Sequence, residues 1–252
     1  MYFRFLPFCL LLVSQRIWAF APVIETQVST TTWYGDGHSV VAIDHYHYGA
    51  DLNGRRGFLN EKGKLYEGSK GFILDAGAAI RRIEEGGPAG KALVSFLMQS
   101  PQTVCIVWHG VNLADIELGA YVYWNPLDTC SAPDERGDSL RPAYIGLAHE
   151  LAHISDVWMG TVNRGTWMTR EDENGNLIRI PYAELYATRV ENKIRSENGI
   201  PLRVAYASVR DGADRDMATL IIRPGTRESL YYDCAGRTNY RPLRRRSVAE
   251  RY

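Results

Sequence analysis

The stretch "LAHELAHISD", residues 147–156, sets two histidines and a glutamate into an otherwise apolar helical run. Ionisable groups buried in such a run cost free energy unless something pairs with them. Residues four apart in an α-helix lie one turn above each other on one face, so His149 and His153 can aim both imidazoles at a single ion, with Glu150 beside them. This H-E-x-x-H spacing predicts a metal centre. Zinc accepts neutral imidazole nitrogens, and a catalytic zinc keeps three protein ligands and an open position for water. Glu150, not a ligand in that arrangement, would take a proton from the water and pass it to a leaving amine.

A third ligand is then required. A third histidine six residues past the second would fall at Met159, with a glycine at Asp156, and neither residue fits. The other common source is a carboxylate on a second helix packed against the first. "PYAELYATRVENKIRSENG", residues 181–199, reads as that helix: Pro181 opens it, Gly199 closes it and Pro201 follows. It offers Glu184 in its first turn and Glu191 seven residues on, on the same face. Glu191 has a second reading as an ion-pair partner of Arg195, and Glu184 as a surface residue. Asp156, three past His153, either orients a ligand imidazole through its second nitrogen or faces solvent at the helix end. Asn192, next to Glu191, is a further candidate beside the ion.

Upstream, "GFILDAGAAIRRIEE" and "AGKALVSFLMQS" have helical periodicity and are separated by the "GGP" at 86–88. "TVCIVWH" and "AYVYWNP" read as strands, and Pro142 can open the H-E-x-x-H helix, where a missing N–H is harmless. Residues 27–60 read as two or three short strands, with "SVVAIDHYHYG" alternating apolar and polar positions. A hairpin-like loop, "TREDENGNLIRI", leads into the second helix, and the chain after Thr226 is less regular.

Composition sets outer bounds. With 45% hydrophobic and 23% charged residues the chain is of the folded, globular kind. Acidic and basic residues balance at 29 each, leaving no overall field that points to nucleic acid. Residues 1–21 read as a secretory signal peptide: "MYFR" is basic, "FLPFCLLLV" is apolar but too short to span a bilayer, and "SQRIWAFA" ends in small residues. A cut after Ala19 avoids the proline that follows Ala21. Residues 22–252 then form a single domain, secreted or periplasmic and not membrane-embedded. Loss of Cys9 leaves Cys105, Cys130 and Cys234, whose pairing stays open. No C-x-x-C pair, phosphate-cradling Gly-rich loop or G-x-S-x-G elbow is present.

"PAYIGLAHELAHISD" followed by "PYAELYATRVENKIRSENGIPLR" resembles the NleD-type bacterial effector zinc metallopeptidase family. The likeness runs upstream through "AGKALVSFLMQSPQTVCIVW" and "YVYWNP", over about residues 70–205, and "ELYATRVENKIRSENGIPLR" is its more discriminating part. The resemblance implies an α+β, zincin-like fold in which the H-E-x-x-H helix packs on a second ligand-bearing helix and a small antiparallel sheet. It also implies one Zn2+ ion held by His149, His153 and, by analogy with other two-helix zinc peptidases, Glu184. Glu150 is carried over as the general base of a metalloendopeptidase acting on host or foreign proteins. Members are delivered into host cells, and a secretory leader departs from that pattern. Two rival readings use the same residues: a zinc-stabilised binding module or pseudoenzyme, and a zinc hydrolase of cell-wall peptides.

Three weaker features complete the expectations. "AYVYWNP" is the candidate sheet edge for an extended peptide substrate. His45 and His47 alternate on a strand and could hold a second metal, and the arginines of "RPLRRRSVAER" could meet a phosphate-rich or acidic partner. No tyrosine or arginine stands out as the donor to a developing oxyanion.

Overall fold

A computed structural model describes residues 24–33, 39–171, 175–209, 214–233 and 235–243. Three strands open the fold as an antiparallel meander: β1 (Ile24–Trp33), β2 (Ser39–Ala50) and β3 (Arg56–Leu59). Two helices follow, α1 (Gly71–Glu85) and α2 (Pro88–Gln99). They form a crossover, which parallel pairing requires, and β4 (Val104–Trp108) enters beside β1 in the same direction. The short β5 (Leu113–Ala114) and β6 (Tyr121–Trp124) complete a six-stranded sheet in the order β3-β2-β1-β4-β6-β5.

The fold is α+β, but its main sheet is mixed, not the small antiparallel sheet expected. The β1/β4 and β4/β6 pairs are parallel, the first because the α1–α2 crossover returns the chain to the start of the sheet, the second through the connection that carries β5. The expected free edge at "AYVYWNP" also needs correction. β6 lies between β4 and β5, and β5 forms the edge. A two-residue strand carries no periodicity by which it could be read.

The helices cover one face of the sheet. α1 contributes Ile73, Ile80 and Ile83, α2 contributes Val94 and Leu97, and these pack with Val104, Ile106 and Val122 of the strands. Gly90 permits the close α1–α2 crossing, since a Cβ there would lie 1.9 Å from the Ile83 carbonyl oxygen. The H-E-x-x-H helix, α3 (Ala143–Trp158), starts just after Pro142 and is buried without a break from Ile145 to Asp156. A helix buried on every side belongs to the interior of a fold, so each polar group on it must find a partner inside the protein.

A hairpin of β7 (Thr166–Glu171) and β8 (Leu177–Pro181) leads into α4 (Ala183–Glu197), which packs along α3. Gly199 closes α4 with a left-handed φ of 70°. The less regular region after Thr226 contains a second hairpin, β9 (Glu228–Tyr232) with β10 (Thr238–Pro242). Arg189 of α4 holds it by donating to the carbonyls of Ser229, Arg241 and Pro242 at 3.0–3.2 Å.

Among the described residues no helix is long and apolar enough to cross a membrane. Cys105 is buried and Cys130 exposed, and both are free thiols. Residues 1–21, read as a leader, with Cys9, the thiol of Cys234 and the arginines at 244–246 lie outside the described residues.

Candidate metal centre

α3 and α4 run side by side so that the faces carrying His149, His153 and Glu184 meet. The imidazoles are 4.9 Å apart between ring centres, at 80° to each other. Their Nε2 atoms lie 3.1 Å and 3.3 Å from the same Glu184 oxygen. One ligand atom from each of the three residues falls within 4.8 Å of the others, so this group could hold a metal ion.

The hydrogen bonds fix the chemistry of His149. Its Nδ1–H donates to Glu191 Oε2 at 3.0 Å. A neutral imidazole protonated at Nδ1 bears a lone pair at Nε2, and here that lone pair faces the acceptor-only carboxylate of Glu184. Two acceptors in contact need a cation between them, either a proton or a metal. Burial alone would lower the pKa of His149, yet hydrogen bonds to Glu184 and Glu191 lift it to about 9. The proton stands where a metal ion would, and the donor set fits a borderline cation such as zinc.

Glu191 is completely buried. Besides His149 it accepts from Arg195 Nε at 2.8 Å and from an Arg203 guanidinium nitrogen at 3.1 Å. Burial raises the pKa of this carboxyl, but the two guanidiniums and His149 hold it well below the ordinary range. Glu191 therefore takes its ion-pair reading with Arg195, and in place of the third-ligand reading it fixes the tautomer and orientation of His149. Asn192 does not approach the cluster as a ligand. Its side chain clamps the backbone of Arg203, donating to the Arg203 carbonyl at 2.8 Å and accepting from its N–H at 2.9 Å.

Asp156 departs from the orienting role considered for it. Its carboxylate accepts from Thr161 Oγ1 at 2.5 Å and from the Tyr232 hydroxyl at 2.7 Å. The end of α3 and the β9–β10 hairpin thus supply the partners that solvent would otherwise provide. The Nδ1 of His153 is buried with no partner among the described residues. His45 approaches Glu25 at 3.6 Å, and neither it nor His47 joins a metal-ligating group among the described residues.

Glu150 is buried beside the cluster, and burial raises its pKa, with the charge of Glu184 adding to the effect. Two further side chains reach the site from the extended segment after α4, and the sequence reading missed both. Arg203 braces Glu191 and stacks over the Tyr206 ring, 4.9 Å from its centre. The Tyr206 hydroxyl hydrogen-bonds to Glu184, and burial with the adjacent carboxylates keeps it protonated far above neutral pH. No sequence signal pointed to Arg203 or Tyr206. They lie in a segment without helical or strand periodicity.

Compared with known proteins, the sequence matches no family model and no curated relative.

Proposed function

We propose that this chain is a secreted zinc metalloendopeptidase with a zincin-like fold, related to the NleD-type effectors, that hydrolyses host or foreign proteins. One observation carries the reading: two imidazoles four residues apart converge with Glu184 of a second helix, next to a buried glutamate that is not itself a ligand. Its other supports are the family resemblance over about residues 70–205 and the signal-like leader.

His149, His153 and Glu184 would hold the zinc. When bound, the ion would polarise the scissile carbonyl and make water more acidic. Glu150 accepts the proton of the attacking water on its carboxylate, a role suited to a buried carboxylate whose pKa desolvation raises and so makes more basic. The same oxygen then delivers the proton to the leaving amine. Tyr206, protonated throughout, turns its hydroxyl from Glu184 to the developing oxyanion and donates to it. Arg203 steadies the Tyr206 ring, and Glu191 holds the Nδ1–H of His149 and so keeps Nε2 aimed at the ion's position.

The test combines metal analysis of the purified protein with cleavage of a peptide library, for wild type and Glu150→Gln. The reading expects about one zinc per chain, cleavage by wild type, and a variant that keeps zinc and melting temperature but not turnover. Zinc without cleavage in either protein would favour the binding module. A metal-free wild type would remove the peptidase altogether.

A further inference from the structure

On the far side of the segment that carries Arg203 and Tyr206 lies a cavity of about 630 Å3, within the range of small-ligand sites. Val204 forms part of its wall, and Ile221 and Ile222 both donate backbone N–H groups to the Val204 carbonyl, at 3.0 Å and 3.3 Å. Val204, Leu220 and Ile222 supply an apolar floor, and Arg215, Arg223, Arg227 and Glu135 are the charged residues of the lining.

Few of these guanidinium donors are used up. Arg223 pairs with Glu228 at 3.1 Å, while Arg227 approaches Glu135 only to 3.7 Å. Arg227 also donates to Ser196 at 3.1 Å, but its buried Nε–H has no partner among the described residues. Arg215 is held by the carbonyl of Asp134. Three guanidiniums and one carboxylate, Glu135, thus line the cavity, and Glu228 pairs with Arg223 from outside the lining. An oxyanion in the cavity would accept from the guanidinium N–H groups that line it while balancing the excess positive charge.

We infer that this cavity is a binding site for a small organic anion, one with a phosphate or carboxylate head on an apolar body. The site is separate from the metal centre and does not depend on the peptidase reading.

Titration calorimetry with phenyl phosphate, benzoate and phenol on the full chain tests it. Saturable binding of phenyl phosphate or benzoate is expected, and the stronger of the two identifies the head group, while phenol should not bind. Arg227→Gln should weaken binding about tenfold or more. Met217→Glu should do the same without touching the core, because Met217 is 65% exposed at the rim. Glu184→Ala, which disables the metal centre, should leave the affinity unchanged. The inference is overturned if neither anion saturates, if phenol binds as well, if both cavity variants bind like wild type, or if Glu184→Ala abolishes binding, which would put the probe on the metal cluster.

Discussion

Replacing Glu191 by Gln preserves shape and removes one buried charge, and the consequences divide into two measurable parts. The carboxylate is fully buried, as is Arg195, and it holds three charged or polar donors within 3.1 Å. Deleting one partner of a buried ion pair costs about 3–5 kcal/mol, because the remaining charge stays desolvated and unpaired. The amide of Gln also turns an N–H2 toward groups that are themselves donors. Metal-free Glu191→Gln should therefore lose about 3–5 kcal/mol of stability, read as a lowered urea midpoint, a large share of the roughly 5–15 kcal/mol typical of a domain. Its zinc affinity should fall by about 10–100-fold, the usual effect of losing the group that orients a ligand histidine. Chemical denaturation in chelator and zinc competition with a chromogenic chelator give the two numbers. An unchanged urea midpoint would refute the buried-triad reasoning. Complete loss of zinc with no loss of stability would make Glu191 the ligand in place of Glu184.

Further outcomes follow from the same geometry. Tyr206→Phe should lower kcat by about 10²–10³-fold with zinc content and KM little changed, as steady-state kinetics on a cleaved peptide will show. In metal-free protein the pKa of His149 is raised to about 9 from an ordinary 6.5. The stabilisation from its imidazolium is complete below about pH 6.5 and vanishes as pH climbs through about 9. A urea midpoint that falls over this window, and flattens in His149→Gln, checks the sign. Burial pushes the Cys105 thiol up to about 12, so alkylation at pH 8 with peptide mapping should label exposed Cys130 in the native protein and Cys105 only after unfolding.

Much of the scaffold was legible because its helices are long and periodic. The apolar spacing of α1, α2 and α3, with Pro142 before α3 and Gly199 after α4, marks elements whose ends agree with the structure to within a residue or two. The choice between Glu184 and Glu191 was not legible. Seven residues put both on one face, and only the relative placement of α3 and α4 shows that one contacts both Nε2 atoms and the other the Nδ1 of His149. Parallel pairing of β1 with β4 depends on contacts about eighty residues apart, which alternation along a strand does not encode. Arg203, Tyr206 and Tyr232 act from segments with no helical repeat, and each is recruited by a partner on another element, Glu191, Glu184 and Asp156 in turn.

The Glu191, Arg195 and Arg203 cluster also bears on how such a site can drift under mutation. Each member leaves a stranded charge if it changes alone, so single steps are strongly disfavoured. Simultaneous replacement by three apolar residues of similar bulk need cost little folding stability, since buried ion pairs are often no stronger than well-packed hydrocarbon. Such a variant would fold and still lose its hold on His149. Persistence of these charges across a lineage would then record selection on the metal site, not on the fold.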